Sequence, residues 1–157
     1  MRIASTTEAD RTYIARLNFL TDVFGEEHAD VSPEFDRDFD FYVRDWQPEN
    51  GGFIAWDGHI PAGGVWLVWG TDERHGYGHV TEGIPELALA VEGRYKGQGI
   101  GTALLEMAAE LAKELGAPGI SLSVAPTNER AHRLYLHVGF EPTGIVREGH
   151  PVLARYW

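Results

Sequence analysis

The chain has 157 residues, 43% hydrophobic and 24% charged, enough for one domain with a proper core and too few for two comfortable ones. It contains no cysteine, which excludes a disulfide framework, a thiolate metal site and a cysteine nucleophile together. A formal net charge of −11, from 24 acidic and 13 basic side chains, argues against nucleic acid as a partner and favours cations, a protonated amine among them.

Residues 2–5 read as a short strand, and the polar start before Glu8 and Asp10 has no room for a signal-peptide core. No apolar run approaches the roughly 20 residues of a membrane span, so the expectation is a cytoplasmic protein without a membrane partner. Thr7 followed by Asp10 is a capping pattern, and Tyr13, Ile14, Leu17, Leu20 and Phe24 then recur at helical spacing, with Gly25 at the end. Ser32-Pro33 reads as the N-cap and first position of a second helix, with Phe35, Phe39, Tyr42 and Trp46 on one apolar face. Residues 53–56 and 65–69 read as a hairpin with Asp57-Gly58 as its turn, although Pro61 and Gly63-Gly64 blur where its second strand begins. Residues 70–85 form a long polar loop carrying His75, Tyr77, His79 and Glu82, and a loop of that length in a small domain is usually functional or mobile.

Residues 86–91 are an apolar run suited to a buried strand, and residues 94–101 a glycine-rich turn. Ile100, Leu104, Met107, Leu111 and Leu115 then repeat at helical spacing up to Gly116. Ile120, Leu122 and Val124 alternate as a strand, Ala131 to Val138 is a short helix ended by Gly139, and a last hairpin flanks Glu148-Gly149. This order predicts one domain over residues 1–157, an α/β protein built on a mixed sheet flanked by helices.

The chemistry concentrates where the strand of residues 86–91 runs through Lys96-Gly97-Gln98-Gly99-Ile100-Gly101-Thr102 into a helix. Free N–H groups at a helix start, the helix dipole and glycines that admit a bulky anion together make a phosphate or pyrophosphate site, which Arg94 and Lys96 keep locally basic. A P-loop would need Gly-Lys-Ser/Thr, and a dinucleotide fingerprint a third glycine where Thr102 stands; both patterns fail. A nucleotide-binding α/β domain therefore loses its support.

The turn resembles the acetyl-CoA signature of the GNAT (Gcn5-related N-acetyltransferase) family, Gln/Arg-x-x-Gly-x-Gly/Ala, with Lys96 departing at the first position. A second block, Asn128-Glu129-Arg130-Ala131 leading to Leu134-Tyr135 and Gly139-Phe140, resembles that family's Asn-x-x-Ala-x-x-x-Tyr-x-x-x-Gly-Phe helix. The resemblance implies a central, mostly antiparallel sheet splayed between its fourth and fifth strands, and acetyl-CoA as cosubstrate. It implies contacts to that molecule from Leu89, Ala90, Val91, Lys96, Gly97, Gln98, Gly99, Ile100, Gly101, Thr102 and Asn128. It also implies a β-bulge at Val91, whose N–H would face the thioester carbonyl, and Tyr135 as the acid that protonates the leaving thiolate. By spacing alone Tyr135 is a core aromatic on an amphipathic helix.

For the base the resemblance points to Glu86, often acting through water, with His79 and Glu82 as rivals and Glu92 as a weaker one. Seven histidines form no helical His-x-x-x-His pair, so a metal is not expected. Acceptor recognition is expected from the first two helices and the 70–85 loop, where Phe24, Glu26, Glu27, His28, Asp30, Tyr42, Trp46, Trp69 and Tyr77 set carboxylates beside aromatics. The implied activity is acetyl transfer to a primary amine of a small molecule or peptide, with a catalytically idle acetyl-CoA sensor as the alternative and a homodimer as an expectation by analogy.

Overall fold

Seven strands, β1 (Arg2–Ser5), β2 (Gly52–Asp57), β3 (Ile60–Val68), β4 (Glu86–Val91), β5 (Gly119–Ser123), β6 (Glu141–Arg147) and β7 (His150–Tyr156), form one sheet in the order β1-β2-β3-β4-β5-β7-β6. The structure, a computed structural model, describes all residues from Met1 to Trp157. Every neighbouring pair is antiparallel except β4 and β5, which run parallel. The helices are α1 (Arg11–Asp22), α2 (Phe35–Phe39), α3 (Ile100–Glu114) and α4 (Glu129–His137). None is long and apolar enough to cross a membrane.

The sheet buries an apolar layer on each face, as a two-sided sheet must. On one face Leu104, Leu105 and Ala108 of α3 pack with Val65, Leu67, Leu87, Ile120 and Leu122. On the other Ile14 and Leu17 of α1 join Tyr42, Val43 and Trp46 over Ile54, Trp66 and Val68. Gly64 permits the close seating of α1, since a Cβ there would fall 2.8 Å from Leu17 Cδ1. The Thr7–Asp10 capping box is present and leads through one 3₁₀ turn into α1. Gly25, at φ 81°, receives the last turn through its N–H to Leu20 C=O at 2.9 Å. Beyond α1, Glu92 at the end of β4 accepts from Tyr13 Oη at 2.6 Å and from Arg16 at 2.7 and 2.9 Å, tying the helix to the mouth of the glycine turn.

Three expectations are corrected. Ser32 does not cap the second helix; its N–H and hydroxyl both bond Asp22, and α2 starts at Phe35. That helix is not one regular face either, because it passes into a π turn, Asp40–Arg44, closed by Asp45 N–H to Asp40 C=O at 3.0 Å. The wider turn brings both Tyr42 and Val43 into the core and leaves Phe35 and Phe39 half-buried. In the first hairpin Asp57 pairs with Ile60, so the turn is Gly58-His59 and the second strand begins five residues before Val65.

Candidate active site

β4 and β5 are registered at a single pair, Glu86↔Ser121, and part beyond it. The β3–β4 ladder is unbroken from Glu86↔Val68 to Val91↔Gly63, so the bulge expected at Val91 is absent. The register shift lies instead between β2 and β3 at Ala55/Trp56, beside Pro61, which has no N–H to continue the ladder. An unbroken antiparallel ladder alternates strictly. Glu92 N–H reaches Ala62 C=O at 2.9 Å, so the even-numbered residues of β4 bond β3 and the N–H groups of Leu89 and Val91 turn toward the gap. Residues 88–91 are accordingly only half-buried although β4 is the middle strand of the sheet. A cavity of about 660 Å³ fills the gap, within the usual range for a small-molecule site.

One end of the cavity is the glycine turn. Gly97 and Gly99 both take φ 80°, a conformation side chains rarely adopt. The first helical bond of α3 is Ala103 N–H to Gly99 C=O at 3.1 Å, and the N–H groups of residues 97–102 have no acceptor in the protein. A Cβ built on Gly99 would meet nothing within 4 Å. Five of these unpartnered N–H groups, those of Gly97, Gly99, Ile100, Gly101 and Thr102, belong to the cavity wall at the start of a 15-residue helix, with Lys96 and Arg130 on the same wall, an arrangement suited to an anion.

Of the residues the sequence singles out for the cofactor, Leu89, Ala90, Val91, Lys96, Gly97, Gly99, Ile100, Gly101, Thr102 and Asn128 line this cavity. Gln98 does not; it is exposed on the outside of the turn. Asn128 caps α4, its Oδ1 accepting Ala131 N–H at 3.2 Å. That cap presents Tyr135 in the cavity wall, its ring tilted on Phe140 at 6.2 Å between centroids. The Tyr135 hydroxyl makes no hydrogen bond within the protein, and burial pushes it up to about 12.

The other end holds Glu86, 4% exposed and facing α1 and α2. Its Oε2 accepts from Tyr42 Oη and, at 2.9 Å, from Gly78 N–H, while Oε1 is buried without a partner. Burial raises its pKa to about 7, against the opposing pull of those two donors and of Arg147. Asp38 lies close enough to raise that pKa further, and Asp22, Glu34, Phe24, Tyr77 and His150 line the same cavity. Asp38 accepts from Tyr77 Oη at 2.8 Å, and burial raises its pKa. The cavity thus runs from an anion-binding end to an acidic one.

The rival bases lie elsewhere. His79 is buried, stacked on His75 at 4.4 Å and bonded to Asp72 at 2.9 Å, and Glu82 accepts from Asp72 N–H at 3.0 Å on the loop surface. Glu92 is committed to Arg16 and Tyr13. Trp46 is fully buried core, and Trp69 packs against core and bonds Asn50 C=O. Of the expected acceptor residues, Phe24, Tyr42 and Tyr77 reach the cavity, whereas Glu26, Glu27, His28 and Asp30 do not. Asn18, Asp22, Glu34, Asp38 and His150 reach it without having been singled out; they come from α1, the start of α2 and β7, and nothing in their local sequence marks them, because only the packing of these separate elements over the gap brings them together.

Residues 17–140 match the sequence model of the acetyltransferase (GNAT) family. A Bacillus subtilis (strain 168) protein provisionally named a ribosomal protein bS18-alanine N-acetyltransferase is 36% identical over 94 residues. That match spans 59% of this chain and 54% of the relative, about half its length. Among solved structures, the GNAT domain of S. lividans PAT superposes with a TM-score of 0.72 at 18% identity, over 99% of this chain and 90% of that one. The PaiA N-acetyltransferase of Thermoplasma acidophilum, solved in complex with coenzyme A, superposes at 0.69 with 16% identity over 100% of both chains. A GCN5-related N-acetyltransferase from Kribbella flavida gives 0.70 at 20%, over 99% and 97%.

Proposed function

The chain belongs to the acetyltransferase (GNAT) family, and from that membership we propose that it moves an acetyl group from acetyl-CoA to a primary amine of a small molecule or peptide, the amine attacking the thioester directly. One observation carries this reading: a single cavity joins the unpartnered N–H groups of Gly97, Gly99, Ile100, Gly101 and Thr102 to a buried carboxyl group, with Tyr135 in its wall. The seven strands form one sheet with the helices packed around it, which supports treating residues 1–157 as one transferase domain.

Acetyl-CoA would supply the acyl group, activated as a thioester. The donors of Gly97 and residues 99–102 with Lys96 and Arg130 suit its pyrophosphate, and the gap between β4 and β5 its pantetheine arm, with Leu89 and Val91 N–H as the free ladder donors. The Val91 N–H is the donor assigned to the carbonyl oxygen as it gains charge. Tyr135 holds the proton for the departing sulfur; burial keeps the phenol protonated at neutral pH. Glu86, its pKa raised by burial to about 7, takes the proton the amine must lose, through water where the amine lies beyond its reach. Asp22, Glu34 and Asp38 favour a cationic acceptor.

The test is CoA-thiol release against a panel of amines: a peptide beginning with alanine, after the Bacillus subtilis relative's name, then linear diamines and free amino acids. Release well above the rate of acetyl-CoA hydrolysis with at least one member is expected. Binding of acetyl-CoA without release on any amine would leave an idle binding module in its place.

A further inference from the structure

The cavity's acidic end contains more than Glu86 alone. The carboxylate is held by parts of two distant segments. Tyr42, from the π turn, donates to Oε2 and in the same place accepts the Tyr77 N–H at 2.9 Å; Gly78 N–H also donates to Oε2 at 2.9 Å. Tyr42 is itself fixed, since Trp66 Nε1 donates to its carbonyl at 2.9 Å and its ring is buried. The loop can reach the carboxylate only as glycine. A Cβ on Gly76 would fall 2.1 Å from Tyr42 Oη and 2.4 Å from Glu86 Oε1, and one on Gly78 would fall 2.7 Å from the Leu122 carbonyl carbon and 2.9 Å from Oε2. Both donors fall on one oxygen. Oε1 is left buried with its lone pairs free.

We propose that Tyr42 is a positioning residue for the Glu86 base, holding its carboxyl group at Oε2 together with the loop stretch of residues 76–78 and favouring its charged form. The inference rests on the assignment of Glu86 as base. The clamp explains why an otherwise exposed-looking loop is drawn onto the sheet, and why its centre reads Gly-Tyr-Gly. It also defines a direction. Hydrogen bonds to a carboxylate favour its charged form, so Tyr42 lowers the pKa that burial raises. The other charged or titratable groups packed about Glu86 are Asp38 from α2, which raises that pKa, Arg147 from β6, which lowers it, Tyr77 from the loop and His150 of β7 across the cavity; β5 contributes only the uncharged Ser121. The Tyr42 hydroxyl is held well above the usual phenol range, so it stays a donor throughout the working pH.

The experiment is the pH dependence of kcat/KM for CoA release by the full chain, with the fastest panel amine used for every variant so that its own ionisation is common to all. Tyr42→Phe keeps the ring and removes the donor. The acidic limb is expected to move up by about one pH unit, with activity at pH 6 down about tenfold and most of it recovered at high pH. Calorimetry should show unchanged acetyl-CoA affinity, which certifies the fold. Replacement of Tyr42 by 3-fluorotyrosine, a stronger donor of nearly the same shape, should move the limb the other way, and it decides the matter if Tyr42→Phe does not fold. Glu86→Gln separates the two readings. If it leaves the wild-type limb in place, the base assignment falls and the inference with it. If it flattens the limb while both Tyr42 replacements leave the limb unmoved, Glu86 stands as base and Tyr42 is ordinary core.

Discussion

Tyr135 shows what a single residue can be asked to do. Its ring packs on Phe140, and its hydroxyl reaches the cavity without a partner, so Tyr135→Phe removes a proton donor and little packing. Turnover is expected to fall about 10²-fold, the usual scale of general-acid catalysis, with acetyl-CoA affinity and Tm unchanged. Steady-state kinetics beside calorimetry measures both, and unaltered turnover would make the residue core packing only. Tyr135 was legible because its signal is local: Asn128, the tyrosine and Gly139-Phe140 all sit on one short helix and its end. Glu86 was legible as a candidate but not as a buried one. The groups that enclose it come from 44 residues upstream in Tyr42 and from the loop at Gly78, and a strand-end glutamate gives no sign of either.

At the scale of elements, the junction between β4 and α3 carries the binding proposal. Gly101 sits one residue into α3, where a Cβ would lie 3.4 Å from Leu134 Cδ2 and 3.9 Å from Val91 Cγ2. Gly101→Val therefore pushes a branched side chain between α3, α4 and β4, into the space the gap keeps open. Acetyl-CoA affinity is expected to drop by at least tenfold, measured calorimetrically on a variant whose circular dichroism is unchanged; undiminished affinity would remove the turn from the binding site. Regular periodicity made α3 readable from Ile100 onward. Where backbone geometry departs from the regular, pattern reading slipped. The π turn mixed two helical faces, and Pro61 concealed the true start of β3. The bulge transferred to Val91 by likeness is not in the β3–β4 pairing, because Gly63 lets the two strands close at that point, where any Cβ would fall 2.7 Å from Ala90 C=O.

Across the whole molecule the acidic surplus does not argue against the proposed phosphate site, since free backbone N–H groups and a helix dipole would attract an anion without a basic surface. The order of elements indicated a mixed sheet, but the final arrangement β5-β7-β6 depends on β7 inserting beside β5, a long-range choice that no local pattern records. The seam at Glu86↔Ser121 has a further consequence. With one registered pair joining β1–β4 to β5–β7, backbone pairing across the middle of the sheet is thin, and cohesion there rests on the α3 core layer and on whatever fills the wedge. A cosubstrate lodged there acts as part of the scaffold, and by mass action acetyl-CoA at a hundred times its Kd should add about 2.7 kcal/mol to stability. Tm should rise by several degrees, and hydrogen exchange at Leu89 and Val91 should slow more than at amides of β2; a rise spread evenly over all strands would mean the seam is no weaker than its neighbours. In a cell, a chain stabilised in this way would be proteolysed fastest when acetyl-CoA runs low, so its abundance would follow the supply of that ligand.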